Sequence, residues 1–433
     1  MSKIFKNIGK RITPRQRLYI RWVILVVCLL IMILVLNELN FRYVNGKELG
    51  EHFYTHWMAT RLFLARGEDV YSSEVHQWIV EYANNILLWK DYQGADAFYL
   101  QPVFGFLFYT PFIFINEFYS AFAAWLTFLQ FSLIGLSLFS LKILNKNLKK
   151  NLMVTVLTFI VLLFNYSTFQ SLVNGNIIIL VALLFFMGIY FIKKEGYELA
   201  GVLFAFATIC LPIFILPFVF ITLWGIRRKY LNLIGWFYGT LFLLGISSAL
   251  LFPNWLFSFA GEWIAYYQMN GAKFLNVIMS SYYPGTSGRL AYFIMILAII
   301  GLIFEWSLNR RYRFELFYWT TSITIVISLL LLPSLKMEDI IIILPIFALI
   351  ATLWIDRWQN RGKLVVFAIF LVILLYPWFL SENQTMSMEQ MRFWQTLPIP
   401  ILFIANLYWI RWWLFKNTDL WFDDIFGFEN KGK

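Results

Sequence analysis

The run Gly50-Glu51-His52-Phe53-Tyr54-Thr55-His56-Trp57 places a carboxylate beside one imidazole and a second imidazole four residues on, one helical turn away. A carboxylate or a neutral imidazole can take a proton from a hydroxyl, so Glu51 is a candidate general base and His52 its rival. With Glu51 or His76 the pair His52 and His56 would also make a metal set, but such pairs are more often unmetallated, and no metal is assigned. The remaining candidates lie far apart along the chain. They are Asp69, Tyr71 and Gln101, the amide Asn176 in Asn174-Gly175-Asn176, the cations Arg289 and Lys336, and the carboxylate Asp339. Cations and amides of this kind suit a phosphate or a sugar. No glycine-rich phosphate loop is present, which argues against a nucleotide pocket. The two cysteines, Cys28 and Cys210, fall in apolar stretches and read as packing residues.

What must position these residues is a membrane bundle. At 61% hydrophobic and 14% charged, with a mean hydropathy of +0.69, the chain cannot be a soluble globule. We expect one all-α, polytopic integral membrane domain over 1–433, with about twelve transmembrane helices. The long polar loop 38–101 follows the first span and holds all three histidines and nine of the 24 carboxylates. A cytoplasmic tail is expected over 417–433.

Charge sets the orientation. Residues 1–18 carry six Lys/Arg and no acid, so the N-terminus is placed in the cytoplasm and loop 38–101 outside. Segment 98–118, broken by Pro102 and Pro111, is read as re-entrant or juxtamembrane, because a full crossing would put the basic run 142–150 outside. Spans 197–210 and 211–226 are each short and share the break Cys210-Leu211-Pro212. They lie between two basic turns, so they are read as a hairpin with its tip toward the outer half of the membrane. Under this topology both termini are cytoplasmic. In all, 26 of the 35 Lys/Arg lie inside and 15 of the 24 carboxylates outside. The net charge of +11 then reflects orientation and anionic headgroups, with no nucleic-acid partner.

In their order along 45–345, several short patterns resemble the multipass glycosyltransferases of the C superfold, and among them the polyprenol-phosphate-mannose-dependent mannosyltransferases of glycosyltransferase family 87. The patterns are His52-Phe53-Tyr54-Thr55-His56-Trp57, then Gly67-Glu68-Asp69-Val70-Tyr71, Tyr99-Leu100-Gln101-Pro102, Gly175-Asn176-Ile177, the stretch from Ala200-Gly201 to Pro212, and Lys336 to Asp339. The resemblance implies a hexosyltransferase, with mannose the first choice of sugar. It would use a polyprenyl-phosphate sugar as donor and a glycan or lipid as extracytoplasmic acceptor, with no resident cofactor, in a bacterial cell membrane. It would make Glu51 and His52 catalytic, and Asp69, Tyr71, Gln101, Asn176, Arg289, Lys336 and Asp339 substrate-binding. The chain departs from the family pattern at two places. His52 stands where the family has a loop Asp, and Leu211 or Cys210 stands where it has a hairpin Lys. The alternatives are a transporter or flippase of a lipid-linked or small polar solute, and an inactive relative.

Overall fold

The computed structural model describes residues 14–90, 92, 99–144, 152–270, 287–308, 314–332, 335–381 and 393–415. The expected tail 417–433, most of the N-terminal basic segment, the run 145–151 and the loop 271–286 lie outside the described residues. Among the described residues all regular secondary structure is helical, with no strand. Seven helical stretches are long and apolar enough to cross a membrane, or eight if the bent pair 152–173 is one span. The protein is therefore a polytopic helical membrane protein.

The first helix, α1 (Pro14–Val44), is exposed along most of its apolar length, as a lipid-facing helix should be. It is pinned near its end by Asn40, whose amide donates to Thr127 (2.9 Å) and exchanges hydrogen bonds with Gln130 (both 3.0 Å). Thr127 and Gln130 belong to α5 (Phe118–Leu144). Amide clamps of this kind are a usual adhesive between helices in lipid.

Between α1 and α5 the chain stays at one end of the bundle. Helices α2 (Glu51–Arg66) and α3 (Ser73–Asn85) are followed by α4 (Phe106–Ile113), whose eight residues span about 12 Å and cannot cross a bilayer. Both ends of this segment return to the elements of the 38–101 loop. Trp57 donates to Phe112 O (3.0 Å), Arg61 to Asn116 O (3.1 Å), and Tyr71 to Gln101 O (2.8 Å).

Next come α6 (Leu152–Phe164), α7 (Tyr166–Val173), which bends from it by 41°, and α8 (Ile178–Lys193). The stretch Tyr197–Arg228 is apolar enough to count as one span by length alone. Its contacts show that it folds back. Helices α9 (Tyr197–Ala207) and α10 (Leu211–Arg228) are separated by a 3-10 turn, Thr208–Cys210. The rings of Phe204 and Phe218 are 5.8 Å apart, and Tyr197 stacks on Tyr230 at 4.5 Å. A straight helix would separate Tyr197 from Tyr230 by about 50 Å. Cys210 (φ −98°, ψ 54°) breaks the helix, and Pro212 starts the next one where its missing N–H costs nothing. The hairpin read from the sequence is thus the observed shape.

Helices α11 (Leu231–Leu251), α12 (Trp255–Asn270), α13 (Ser287–Leu308) and α14 (Phe314–Leu330) follow, with α14 buried along almost its whole length. The last two are α15 (Ile346–Ser381) and α16 (Pro398–Phe415). In α15, Gln359 (φ 46°, ψ −112°) reverses the direction. The short α7 touches Glu338, just before α15, through Ser171. At its other end Asn165 reaches Ile373. An unbroken helix would put Ile346 and Ile373 about 40 Å apart, so the two halves of α15 run back to back.

Candidate functional site

The site is built where the elements of the 38–101 loop meet two breaks in the bundle. Helix α2 begins against the α7–α8 linker. Gly50 N donates to Val173 O (2.9 Å), and the N–H groups of His52 and Phe53 both point at Asn174 O (3.1 and 3.3 Å). These first-turn amides have no partner within their own helix, so the linker carbonyl caps α2. The approach is close because Gly175 (φ +67°) has no side chain. A Cβ there would lie 2.7 Å from Phe53 Cβ and 2.8 Å from the Phe122 ring. Trp125 fixes the same turn by donating to Gly175 O (2.8 Å).

This docking brings His52 over Glu338, in the 3-10 turn Met337–Ile342. His52 Nε2 is 3.2 Å from Glu338 Oε2, Asn176 donates to the same oxygen at 2.7 Å, and Asn174 donates to Oε1. Glu338 is thus a buried carboxylate held by an imidazole and two amides. Burial works against its anion, but the His52 charge and hydrogen bond, Lys336 and Asn176 outweigh it and hold the carboxyl down at about 2. Its neighbour Asp339 goes the other way. Burial pushes it up to about 6, against the Lys336 N–H it accepts (2.9 Å), and the Glu338 charge pushes in the same direction as burial. Two adjacent carboxylates with divergent ionisation are a pattern that acid–base sites use.

A second group of residues joins the first. Asp69 accepts from Tyr71 N (2.9 Å), and Gln101 Nε2 donates to Tyr109 OH (3.1 Å). His56 stacks on Tyr109 at 5.3 Å and makes a 2.7 Å Nδ1 contact with His52 O, which ties it to the Glu338 side. Cys210, at the hairpin tip, is within electrostatic reach of both Tyr109 and Asp339. Burial, then the charges of Asp69 and Glu262, raise the Tyr71 hydroxyl well above its ordinary value, so it stays protonated. The Tyr99 hydroxyl and Gln101 Oε1 are buried with no hydrogen-bond partner among the described residues, and both face Gly105. They present a donor and an acceptor to one spot.

Of the sequence candidates, His52, Asn176, Lys336 and Asp339 meet at the Glu338 cluster. Asp69, Tyr71 and Gln101 form the adjoining wall. Glu51 is half-buried in the first turn of α2, next to His52. Arg289 is apart. It is exposed at the start of α13, and among the described residues no hydrogen bond or ion pair joins it to the cluster. His52 and His56 are neighbours on α2, His76 lies apart with its Nε2 2.9 Å from Glu262 on α12, and no group of three metal ligands occurs among the described residues.

Sequence reasoning missed Glu338 and Asn174 as site residues. The available signal was a Glu-Asp pair in a short loop between apolar segments, and an Asn-Gly-Asn turn. Their pairing spans more than 160 residues and has no local trace. No family model, no curated protein and no solved structure matches the chain.

Proposed function

We propose that the chain is a membrane glycosyltransferase that moves a hexose, mannose in the first instance, from a polyprenyl phosphate to an acceptor hydroxyl on the outer face of a bacterial cell membrane. The observation that carries this reading is the Glu338 cluster. Three sequence-distant segments, the start of α2, the α7–α8 linker and the 336–339 turn, converge there on an ionised, buried carboxylate, and the half-buried Glu51 precedes His52 in the chain. Broken backbone at membrane depth is tolerated where it lines a polar site. In the same proposal the helices make twelve membrane passages in a C-superfold arrangement with both termini cytoplasmic. The fold-backs at Cys210 and Gln359 and the short helices α6, α8 and α14 supply the passages beyond those long enough to count alone.

The chemistry is an in-line displacement. The acceptor oxygen attacks the anomeric carbon as the carbon–oxygen bond to the lipid phosphate breaks, and the bonding pair leaves with the phosphate. The acceptor proton passes to the Glu51 carboxylate. Glu338 keeps the His52 ring oriented toward it, and Lys336 stabilises the departing phosphate charge. Incubation of the purified full-length protein with radiolabelled polyprenyl-phosphate mannose and an extract of membrane lipids and glycans tests the reading. Labelled product of inverted anomeric configuration is expected, and a donor left unconsumed contradicts it.

A second reading, transport, has one observation in its favour. Between α13 and α16, Arg411 Nε donates to both carboxylate oxygens of Glu305 (2.9 and 3.0 Å), and ionic pairs inside a bundle often mark a solute or proton path. Uptake of solute into proteoliposomes by a protein that consumes no donor would favour it.

A further inference from the structure

At the opposite end of α15 from Glu338, the reversal at Gln359 shapes an open cavity of about 320 Å³ lined by the exposed residues Arg357, Trp358, Gln359 and Arg361. Three independent features mark it. First, two guanidiniums face one space, and among the described residues neither is engaged by a carboxylate in an ion pair. Asp356, next in the chain to Arg357, is exposed and not part of the lining.

Second, the backbone is strained at a lining residue. Gln359 holds φ +46° and ψ −112°, a region that favours glycine. The turn is also tight enough that a Cβ on Gly362 would collide with the Trp354 carbonyl.

Third, the cavity lies in a tryptophan cluster. Trp354 packs against Trp358 (4.7 Å) and Trp413 (5.4 Å), while Arg357 stands 5.7 Å from the Trp413 ring. Such belts settle at the level of lipid headgroups.

We propose that this cavity binds an anionic phosphate group, presented by a lipid headgroup or by free phosphate. Guanidiniums match phosphate oxygens two at a time, a geometry that ammonium groups cannot copy. The volume accommodates a phosphate with a small substituent rather than a bare ion alone. The inference does not depend on the transferase reading, since it concerns the other end of the bundle.

The test uses the full-length protein in dodecyl maltoside, with dioleoylphosphatidylglycerol, dioleoylphosphatidylcholine and inorganic phosphate as probes and native mass spectrometry as readout. The wild type is expected to retain phosphatidylglycerol over phosphatidylcholine. The Arg357→Ala/Arg361→Ala pair is expected to lose that preference by about tenfold or more, because two charge-assisted contacts disappear. The Arg357→Lys/Arg361→Lys pair keeps the charge and serves if the alanine pair does not fold. It should weaken retention by several-fold, and unchanged retention there counts against a guanidinium site. Displacement of the lipid by millimolar inorganic phosphate assigns the site to free phosphate, and failure to displace it assigns it to the headgroup. Equal retention of both lipids by the wild type, or unchanged retention in the alanine pair, overturns the proposal.

Discussion

Asp339 and Glu338 are neighbours in sequence whose surroundings pull their ionisation apart, and the consequence is measurable as stability against pH. Glu338 is held near 2, below its ordinary 4.5, so its contribution is present above pH 4.5 and is lost as pH falls through about 2. Asp339 is raised from 3.8 to about 6, so it contributes below about pH 4 and that contribution disappears as pH rises through 6. Between pH 4 and 6 the Asp339 effect dominates and should cost on the order of 2 kcal/mol. The thermal midpoint of the purified protein should therefore fall from pH 4 to 6, and Asp339→Asn should flatten that fall. An identical slope in the variant would remove Asp339 from the account. The same residues show where sequence reading stopped. Lys336 and Asp339 were legible as polar residues in an apolar context. Glu338, between them, is made central by Asn174, Asn176 and His52, and nothing local in the sequence encodes that encounter.

At the scale of elements, two joints decide whether the site forms. The α7–α8 linker docks on α2 only because Gly175 adopts a left-handed conformation with no room for a side chain. Gly175→Ala should lower stability by about 2–4 kcal/mol, combining backbone strain with overpacking against Phe53 and Phe122. A drop in thermal midpoint together with loss of the His52–Glu338 contact would follow. An unchanged midpoint would show that the linker can shift away. The hairpin is the second joint. Leu211 is 36% exposed at its tip, where the proposed C-superfold reading expects a cation. Leu211→Lys should then express at wild-type level, since a charge in a water-lined tip escapes the roughly 3 kcal/mol it costs at a helix centre in lipid. Failure to accumulate in the membrane would place the tip in hydrocarbon instead. This hairpin was readable because the Cys-Leu-Pro break and its two basic flanks are local signals. The position of Arg289 was not, because a lone cation near a span end serves anchoring and catalysis equally well.

For the whole molecule, the proposed orientation rests on the distribution of basic residues, and the structure supplies exposed sites with which to test it. Glu74 on α3 and Lys363 past the Gln359 reversal are both exposed and lie at opposite ends of the bundle. A cysteine at Glu74 should react with an impermeant maleimide on intact cells, and one at Lys363 only after permeabilisation. The reverse pattern would turn the Glu338 cluster toward the cytoplasm and deprive it of an extracytoplasmic acceptor. Membrane class and helical architecture were legible from composition and hydropathy, because lipid imposes both on the chain. The site was legible only as a set of polar loops on one side, because their assembly rests on contacts between distant segments. The central claim, that these loops assemble a glycosyl-transfer site with Glu51 as base, is tested most directly by single-turnover transfer from labelled polyprenyl-phosphate mannose in Glu51→Gln, measured beside donor binding. The account predicts that turnover falls by about 10² or more while donor affinity holds, the usual effect of removing a positioned base. Near-wild-type turnover in Glu51→Gln, with transfer abolished in His52→Gln, would contradict it.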